Sequence, residues 1–160
     1  MNQNQDASHN PGKTSTQIVH IEHTTYEPDP PHPEEIQSKF KNLDDWLNSI
    51  CDGENPEKPI EIYRINIFLT EPSGDRTIYL LGENTYNEGN NHSITRIEYE
   101  PSNMYYNLKN EYKKLTWEEL KIKITFQVKE FTKSDKFKAS FLSKANAIIM
   151  GFSGESIWKK

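Results

Sequence analysis

The chain has 160 residues, 33% of them hydrophobic, and a formal net charge of −5, which suits one domain with a real core. No run approaches the roughly eighteen apolar residues of a membrane span, and the N-terminus lacks the basic and apolar regions of a secretory signal. The single cysteine, Cys51, cannot form an internal disulfide and is typical of a reducing compartment. These features predict a cytoplasmic protein that does not interact with membranes.

Charge is unevenly distributed along the chain. Residues 1–59 carry eleven acidic and four basic side chains, a balance of −7, whereas residues 60–160 have a balance of +2. The sequence contains no basic stripe of the kind that nucleic-acid binding requires, so we expect no nucleic-acid partner. The acidic N-terminal part is either a solvated surface or a surface that meets a basic protein partner.

The N-terminal residues have little to bury. Residues 1–16 are mainly polar, and residues 27–33 include four prolines in the run EPDPPHP. These compositions predict a flexible, proline-rich arm over residues 1–33, followed by a single domain over residues 34–160. Between the two polar parts, residues 17–26 form either an edge strand or an extended piece of the arm. His20 and His23 have a metal-like spacing without further ligands, so we expect no metal and no cofactor.

A first helix is predicted after the arm. Its apolar positions repeat every three or four residues, Trp46 lies beside them, and Gly53 follows them. Two acidic residues, Glu34 and Glu35, would lie in the first turn, where the helix dipole favours negative charge. The pattern therefore predicts one stripe that faces the core, made of Ile36, Phe40, Leu43, Leu47 and Ile50.

The most strongly patterned part of the chain is residues 60–86. Apolar side chains alternate through Tyr63, Ile65, Ile67 and Leu69, the turn sequence EPSGD follows, and a second apolar run TIYLLG comes next. This pattern predicts an antiparallel hairpin. A polar loop over residues 86–93, a third strand in ITRIEYEP and a terminal hairpin in ANAIIMGF and SIWKK complete the expected sheet.

Residues 117–132 fit two patterns. Strict alternation indicates a strand, with Leu120, Ile122, Ile124, Phe126 and Val128 on one side. A helical face indicates a helix, with Trp117, Leu120, Ile124, Val128 and Phe131 on one stripe. The capping box of Thr116 and Glu119 and the length of the run favour the helix. We therefore predict an α+β fold with an antiparallel sheet of hairpins on two or three helices, and Trp46 and Trp117 in its core.

The sequence shows no catalytic signature. A nucleophile needs a base and an orienting group near it, and no strand–Ser–helix elbow or phosphate-cradling glycine loop is visible. The glutamate pair Glu118 and Glu119 stands where a helix N-terminus favours negative charge. We therefore expect a protein that is not an enzyme.

Several short motifs occur in a defined order. Gly82 and Tyr86 end the hairpin and are followed by Asn87 and Glu88; Glu100-Pro101, Trp117, Gly151-Phe152 and Glu155 come later. This order resembles that of small bacterial immunity proteins of polymorphic or contact-delivered toxin systems, over about residues 36–160. The structural alternative is that Gly82, Tyr86 and Gly151-Phe152 serve only turn and core geometry.

The resemblance implies a binding protein that neutralises a cognate bacterial toxin by direct occlusion. The segment that carries acidic residues in immunity proteins is here the polar loop, so we expect the toxin-binding residues there and on the next strand. They are Tyr86, Glu88, Asn90, Asn91, His92, Glu98 and Glu100. The alternative function is a structural or scaffold subunit of a larger assembly, docked through the N-terminal arm.

The polar N-terminus gives a first prediction. Deletion of residues 1–16 should leave the midpoint of thermal unfolding unchanged within error, because this segment has almost no apolar side chain to bury. Differential scanning calorimetry of the truncated and full-length chains measures the effect. A loss of several degrees would show that these residues pack on the domain.

Overall fold

The structure, a computed structural model, describes residues 39–71, 74–151 and 154–160. These residues contain three α-helices, α1 (Leu43–Cys51), α2 (Trp117–Phe131) and α3 (Asp135–Ala139). The six strands are β1 (Ile62–Thr70), β2 (Asp75–Gly89), β3 (His92–Tyr99), β4 (Tyr105–Asn107), β5 (Ala147–Met150) and β6 (Glu155–Lys159). The predicted α+β class is confirmed. The predicted arm and the question of a strand in residues 17–26 lie outside the described residues.

The strands form one sheet in the order β3-β2-β1-β5-β6, and β4 pairs with β2. The predicted hairpin is confirmed, because β1 and β2 pair antiparallel from Ile62↔Glu83 to Thr70↔Asp75. The terminal hairpin of β5 and β6 is also present. However, β5 lies parallel to β1, so the sheet is mixed rather than wholly antiparallel. The long crossover that contains α2 and α3 permits this arrangement, since parallel neighbours need a connection of a dozen or more residues.

By their internal contacts, the described residues fall into two compact units. The smaller unit is Thr85–Arg96, which contains the end of β2 and most of β3. The larger unit contains the described residues of Glu27–Asn84 and Ile97–Lys160. All three helices and the whole of β1, β4, β5 and β6 belong to this larger unit.

The core of the larger unit lies on one face of the sheet. Alternate strand residues point into it, such as Ile65 of β1 and Leu80 of β2, both 0% exposed. They join the buried residues of the three helices in one cluster. Gly82 faces the same core, where an added Cβ would come within 3.0 Å of Ile60 Cγ2 and of Tyr99 Cβ. Gly82 therefore permits close packing, in agreement with the structural alternative for this residue.

Helix α1 begins later than the sequence pattern predicts. Residues 39–42 are not helical, so the prediction that Phe40 lies on the helix is wrong. Asn42 caps the helix instead, and its side-chain Oδ1 accepts a hydrogen bond from the Asp45 N–H at 2.8 Å. An asparagine at this position satisfies one of the orphan N–H groups of the first turn and so fixes the start of the helix. Phe40 still packs against the core, edge-on to Tyr106.

The ambiguous segment is a helix, α2, and the predicted capping box is confirmed. Thr116 Oγ1 accepts from the Glu119 N–H at 3.1 Å, and Glu119 Oε2 accepts from the Thr116 N–H at 2.8 Å. The prediction of Trp117 as a core residue is wrong, because its side chain is 44% exposed. It lies at the first residue of the helix, where the Arg76 guanidinium covers one face of the ring at 4.9 Å from the centroid and the rest stays open.

The two tryptophans give a matched stability prediction. Trp46 is 0% exposed, stacks on Tyr106 and donates from Nε1 to the Asn103 carbonyl at 2.8 Å. Trp46→Ala should therefore lower the free energy of unfolding by about 3–5 kcal/mol. Trp117→Ala, which removes an exposed ring and a cation–π contact, should cost about 1 kcal/mol. Urea unfolding measures both variants, and equal losses would contradict this assignment of core and surface.

A buried hydroxyl gives a further prediction. The Tyr106 side chain is 1% exposed, its hydroxyl has no hydrogen-bond partner among the described residues, and burial raises its pKa to about 12. Tyr106→Phe keeps the ring contacts and removes only an unsatisfied polar group. The variant should be at least as stable as the natural chain, with a gain of up to about 1 kcal/mol. A clear loss in urea unfolding would show that the hydroxyl is satisfied in solution.

Candidate functional site

The predicted binding loop is a β-hairpin, which corrects the expectation of a polar loop over residues 86–93. Strand β2 continues to Gly89 and β3 begins at His92. Only Asn90 and Asn91 connect them, and both have positive φ values, 51° and 64°. Two successive residues with positive φ are typical of a type I′ turn, which asparagine tolerates and which matches the twist of paired strands. The sequence signal was available, since an asparagine pair between polar strand ends favours such a turn.

Tyr86 has a defined environment within the smaller unit. Its ring is half-buried, and the Arg96 guanidinium lies over it at 5.3 Å from the centroid. Arg96 Nη2 also lies 3.7 Å from Glu88 Oε1. An ion pair this exposed contributes little stability. The two contacts nevertheless place the aromatic ring, the guanidinium and the carboxylate next to one another on neighbouring strands.

The structure brings five of the seven predicted site residues together on this hairpin. Asn90 and Asn91 are exposed at the turn, and His92 is half-buried beside it, in addition to Tyr86 and Glu88. The other two residues belong to the larger unit.

In the larger unit, Glu98 Oε2 lies 3.2 Å from Lys58 Nζ and its side chain is only 16% exposed. Glu100 is exposed and directly follows the last residue of β3. Glu88 and Glu98 thus already have basic partners within the chain. The predicted surface is accordingly less acidic than its sequence indicates.

The polar residues that precede Tyr86 have structural contacts. Glu83 is 3% exposed and its Oε2 accepts from Arg64 Nε at 2.9 Å; Arg64 also donates to the Gly151 carbonyl. Asn84 Oδ1 accepts from the Glu61 N–H at 2.7 Å. A buried charge needs such a partner, because removing one member leaves the other unpaired. These residues fix the part of β2 from which the hairpin extends.

A second exposed surface escaped the sequence analysis. Ile122 and Phe126 of α2 are 62% and 63% exposed, one helical turn apart. They border a shallow cavity of about 250 Å³, whose other lining residues are Glu118, Lys121, Thr125, Lys129 and Glu155. Exposed apolar residues that adjoin one another mark interaction surfaces more often than isolated ones do. We call the side of α2 that carries Glu118, Ile122, Phe126 and Lys129 the outer stripe.

The described residues offer little for catalysis. They contain no group of three His, Cys, Asp or Glu side chains placed to hold a metal ion. Cys51 is half-buried, and desolvation raises the pKa of its thiol, which works against a reactive thiolate. Burial likewise raises the pKa of Tyr63, which packs in the core. The exposed hairpin and the outer stripe are two surfaces with a candidate role in binding.

Comparisons with known proteins add no family. No family model, no curated protein and no solved structure matches the chain. Among the described residues, no helix has both the length and the apolar composition that crossing a membrane requires.

Proposed function

We propose that the protein is a non-catalytic, immunity-type binding protein that neutralises a cognate bacterial toxin in the cytoplasm by direct occlusion. The observation that supports this proposal best is the hairpin of β2 and β3, which presents Tyr86 beside Arg96 and Glu88 on paired strands. The order of motifs in the sequence, which resembles that of immunity proteins, supplies the class of partner. The proposal involves neither nucleic acid nor a membrane.

A hairpin of this kind suits a binding surface because its backbone is ordered before the partner arrives. The cost of ordering side chains and loops reduces affinity, and a preorganised surface avoids much of that cost. Tyrosine is among the residues that contribute most to interfaces, and the half-buried Tyr86 is held by a cation–π contact. Asn90 and Asn91 at the turn add donors and acceptors that adapt to a partner.

Charge contributes more to the rate at which the chain and a toxin associate than to the affinity of the complex. The hairpin residues Thr85–Arg96 include one acidic and one basic side chain, so this unit is close to neutral. The chain as a whole has a formal charge of −5. A net negative charge speeds association with a basic toxin through long-range attraction, and salt screens the effect. The proposal therefore gives Tyr86 the main role in affinity and the rest of the chain the main role in association rate.

The alternative function, a structural or scaffold subunit, is favoured by a different observation. The outer stripe of α2 exposes two large apolar side chains, Ile122 and Phe126, and subunits of assemblies use such surfaces for permanent contacts. This function requires no toxin. A measurement of whether the chain suppresses the activity of a toxin therefore distinguishes the two proposed functions.

A double variant of the hairpin tests the proposed function. The probe is the purified product of the toxin gene that this proposal expects next to the gene of the chain, and isothermal titration calorimetry measures its affinity for the full chain. Tyr86→Ala with Glu88→Ala should weaken binding by about 2 kcal/mol or more, a factor of roughly 30. Both residues are on the hairpin surface, so the free energy of unfolding should change little.

The matched control is Leu69→Ala with Glu71→Ala. These residues are an exposed apolar side chain and an exposed acid at the end of β1 and just after it, so the control removes comparable groups from another surface. It should bind the toxin like the natural chain. Unchanged affinity of the hairpin variant would remove the hairpin from the interface, and a toxin that stays active in excess of the natural chain would contradict the proposed function.

A further inference from the structure

The outer stripe of α2 has an ordered distribution of charge and apolar surface. Glu118 lies in the first turn of the helix, Ile122 and Phe126 lie in the middle, and Lys129 lies in the last turn. Glu118 and Lys129 take part in no ion pair with another described residue, whereas Lys121 lies 3.7 Å from Glu155 of the same chain. The stripe is thus acidic at one end, apolar at its centre and basic at the other.

We propose that the outer stripe is a self-association surface, on which a second copy of this chain packs with its α2 antiparallel to the first. In a two-fold arrangement the same patch meets itself, so residue i of one copy contacts residue j of the other and the reverse. The stripe meets this requirement. A two-fold axis at the centre of the stripe places Ile122 of each copy against Phe126 of the other copy.

The apolar and the charged pairs share one centre. The midpoint of Ile122 and Phe126 is position 124, and the midpoint of Glu118 and Lys129 falls half a residue earlier. At a rise of about 1.5 Å per residue, the two centres differ by about 0.75 Å along the helix axis. One two-fold axis therefore brings the apolar side chains together and also places each Glu118 near Lys129 of the other copy.

Charge complementarity favours the antiparallel over the parallel orientation of the second copy. A parallel arrangement would set Glu118 against Glu118 and Lys129 against Lys129, and like charges in register are unfavourable. The cavity beside Ile122 and Phe126 provides a groove for the ridge of the other helix, which is the ordinary geometry of helix packing. The acidic and basic ends of the stripe already match one another without any change of sequence.

The extent of the surface sets the strength of the association. Two large apolar side chains per copy, Ile122 and Phe126, form a small contact, below the size of typical stable interfaces. We therefore expect a monomer–dimer equilibrium that depends on protein concentration, rather than a permanent dimer. This association is independent of the toxin-binding hairpin, and its test does not involve a toxin.

Sedimentation equilibrium of the full chain over a series of concentrations tests the contact. The natural chain should show a reversible monomer–dimer equilibrium. Phe126→Ala should raise the dissociation constant about tenfold or more, as truncations of central interface residues do. Because Phe126 is 63% exposed, the variant should fold normally, which circular dichroism verifies. Leu69→Ala, which truncates the exposed side chain of β1, is the control and should leave the equilibrium unchanged.

Charge exchange tests the antiparallel register. Glu118→Lys alone and Lys129→Glu alone should each weaken the dimer, because each creates two like-charged contacts across the axis. The double variant should restore it, and an equal mixture of the two single variants should form a heterodimer with both contacts favourable. A chain that stays monomeric at every concentration, a dimer that Phe126→Ala does not weaken, or single charge variants that dimerise like the natural chain would each overturn the proposal.

Discussion

Strand β1 is the element on which the rest of the structure depends, because it is paired along both edges. It pairs with β2 over nine residues on one side and with β5 over four residues on the other. Tyr63 and Ile65 of β1 belong to the core cluster. Strand β2 on one side and the terminal hairpin of β5 and β6 on the other are thus fixed to a single strand, and α2 and α3, which precede β5 in the chain, contribute buried residues to the face on which those side chains lie.

The buried polar side chains of β2 have partners within the larger unit. Arg64 and Glu83 pair with each other, and Asn84 bonds to the backbone of the segment before β1. These contacts link β2 to β1 and to the segment that precedes β1. They lie where the core contacts of β2 end. The buried pair is not evidence of high stability in itself, since a buried ion pair pays a desolvation cost. Its effect is local order in the strand from which the candidate hairpin extends.

Local sequence patterns predicted which segments are strands or helices better than they predicted which side chains are buried. The period-two run in residues 60–86 identified a real hairpin, and Thr116 with Glu119 identified the start of α2. Both signals act between neighbours in sequence, so no tertiary information was needed. The failures concern tertiary contacts. Trp117 lies on the correct stripe of the helix but at its exposed first residue, and nothing in a periodic pattern tells where a helix leaves the core.

The candidate hairpin shows a similar division. Its residues were predicted, whereas their conformation was not, because a polar composition was taken as a loop when Asn90 and Asn91 in fact connect two strands. The ion pairs of Glu88 and Glu98 could not be derived from the sequence either. Their partners are Arg96 and Lys58, and only the folded chain determines that these particular charges meet. A count of acidic residues therefore overestimates the negative charge that a partner would encounter.

The ambiguity of residues 117–132 has a structural cause. Leu120, Ile124 and Val128 form the buried stripe of α2, and Ile122 and Phe126 follow two residues after the first two of them. Two residues in a helix correspond to a rotation of about 200°, so the second set lies on the opposite side. A helix with apolar residues on both sides therefore shows the alternation of a strand. Strand-like alternation behind a capping box is for this reason a sequence signal of a helix with a second, exposed apolar face, and in this chain that face is the outer stripe.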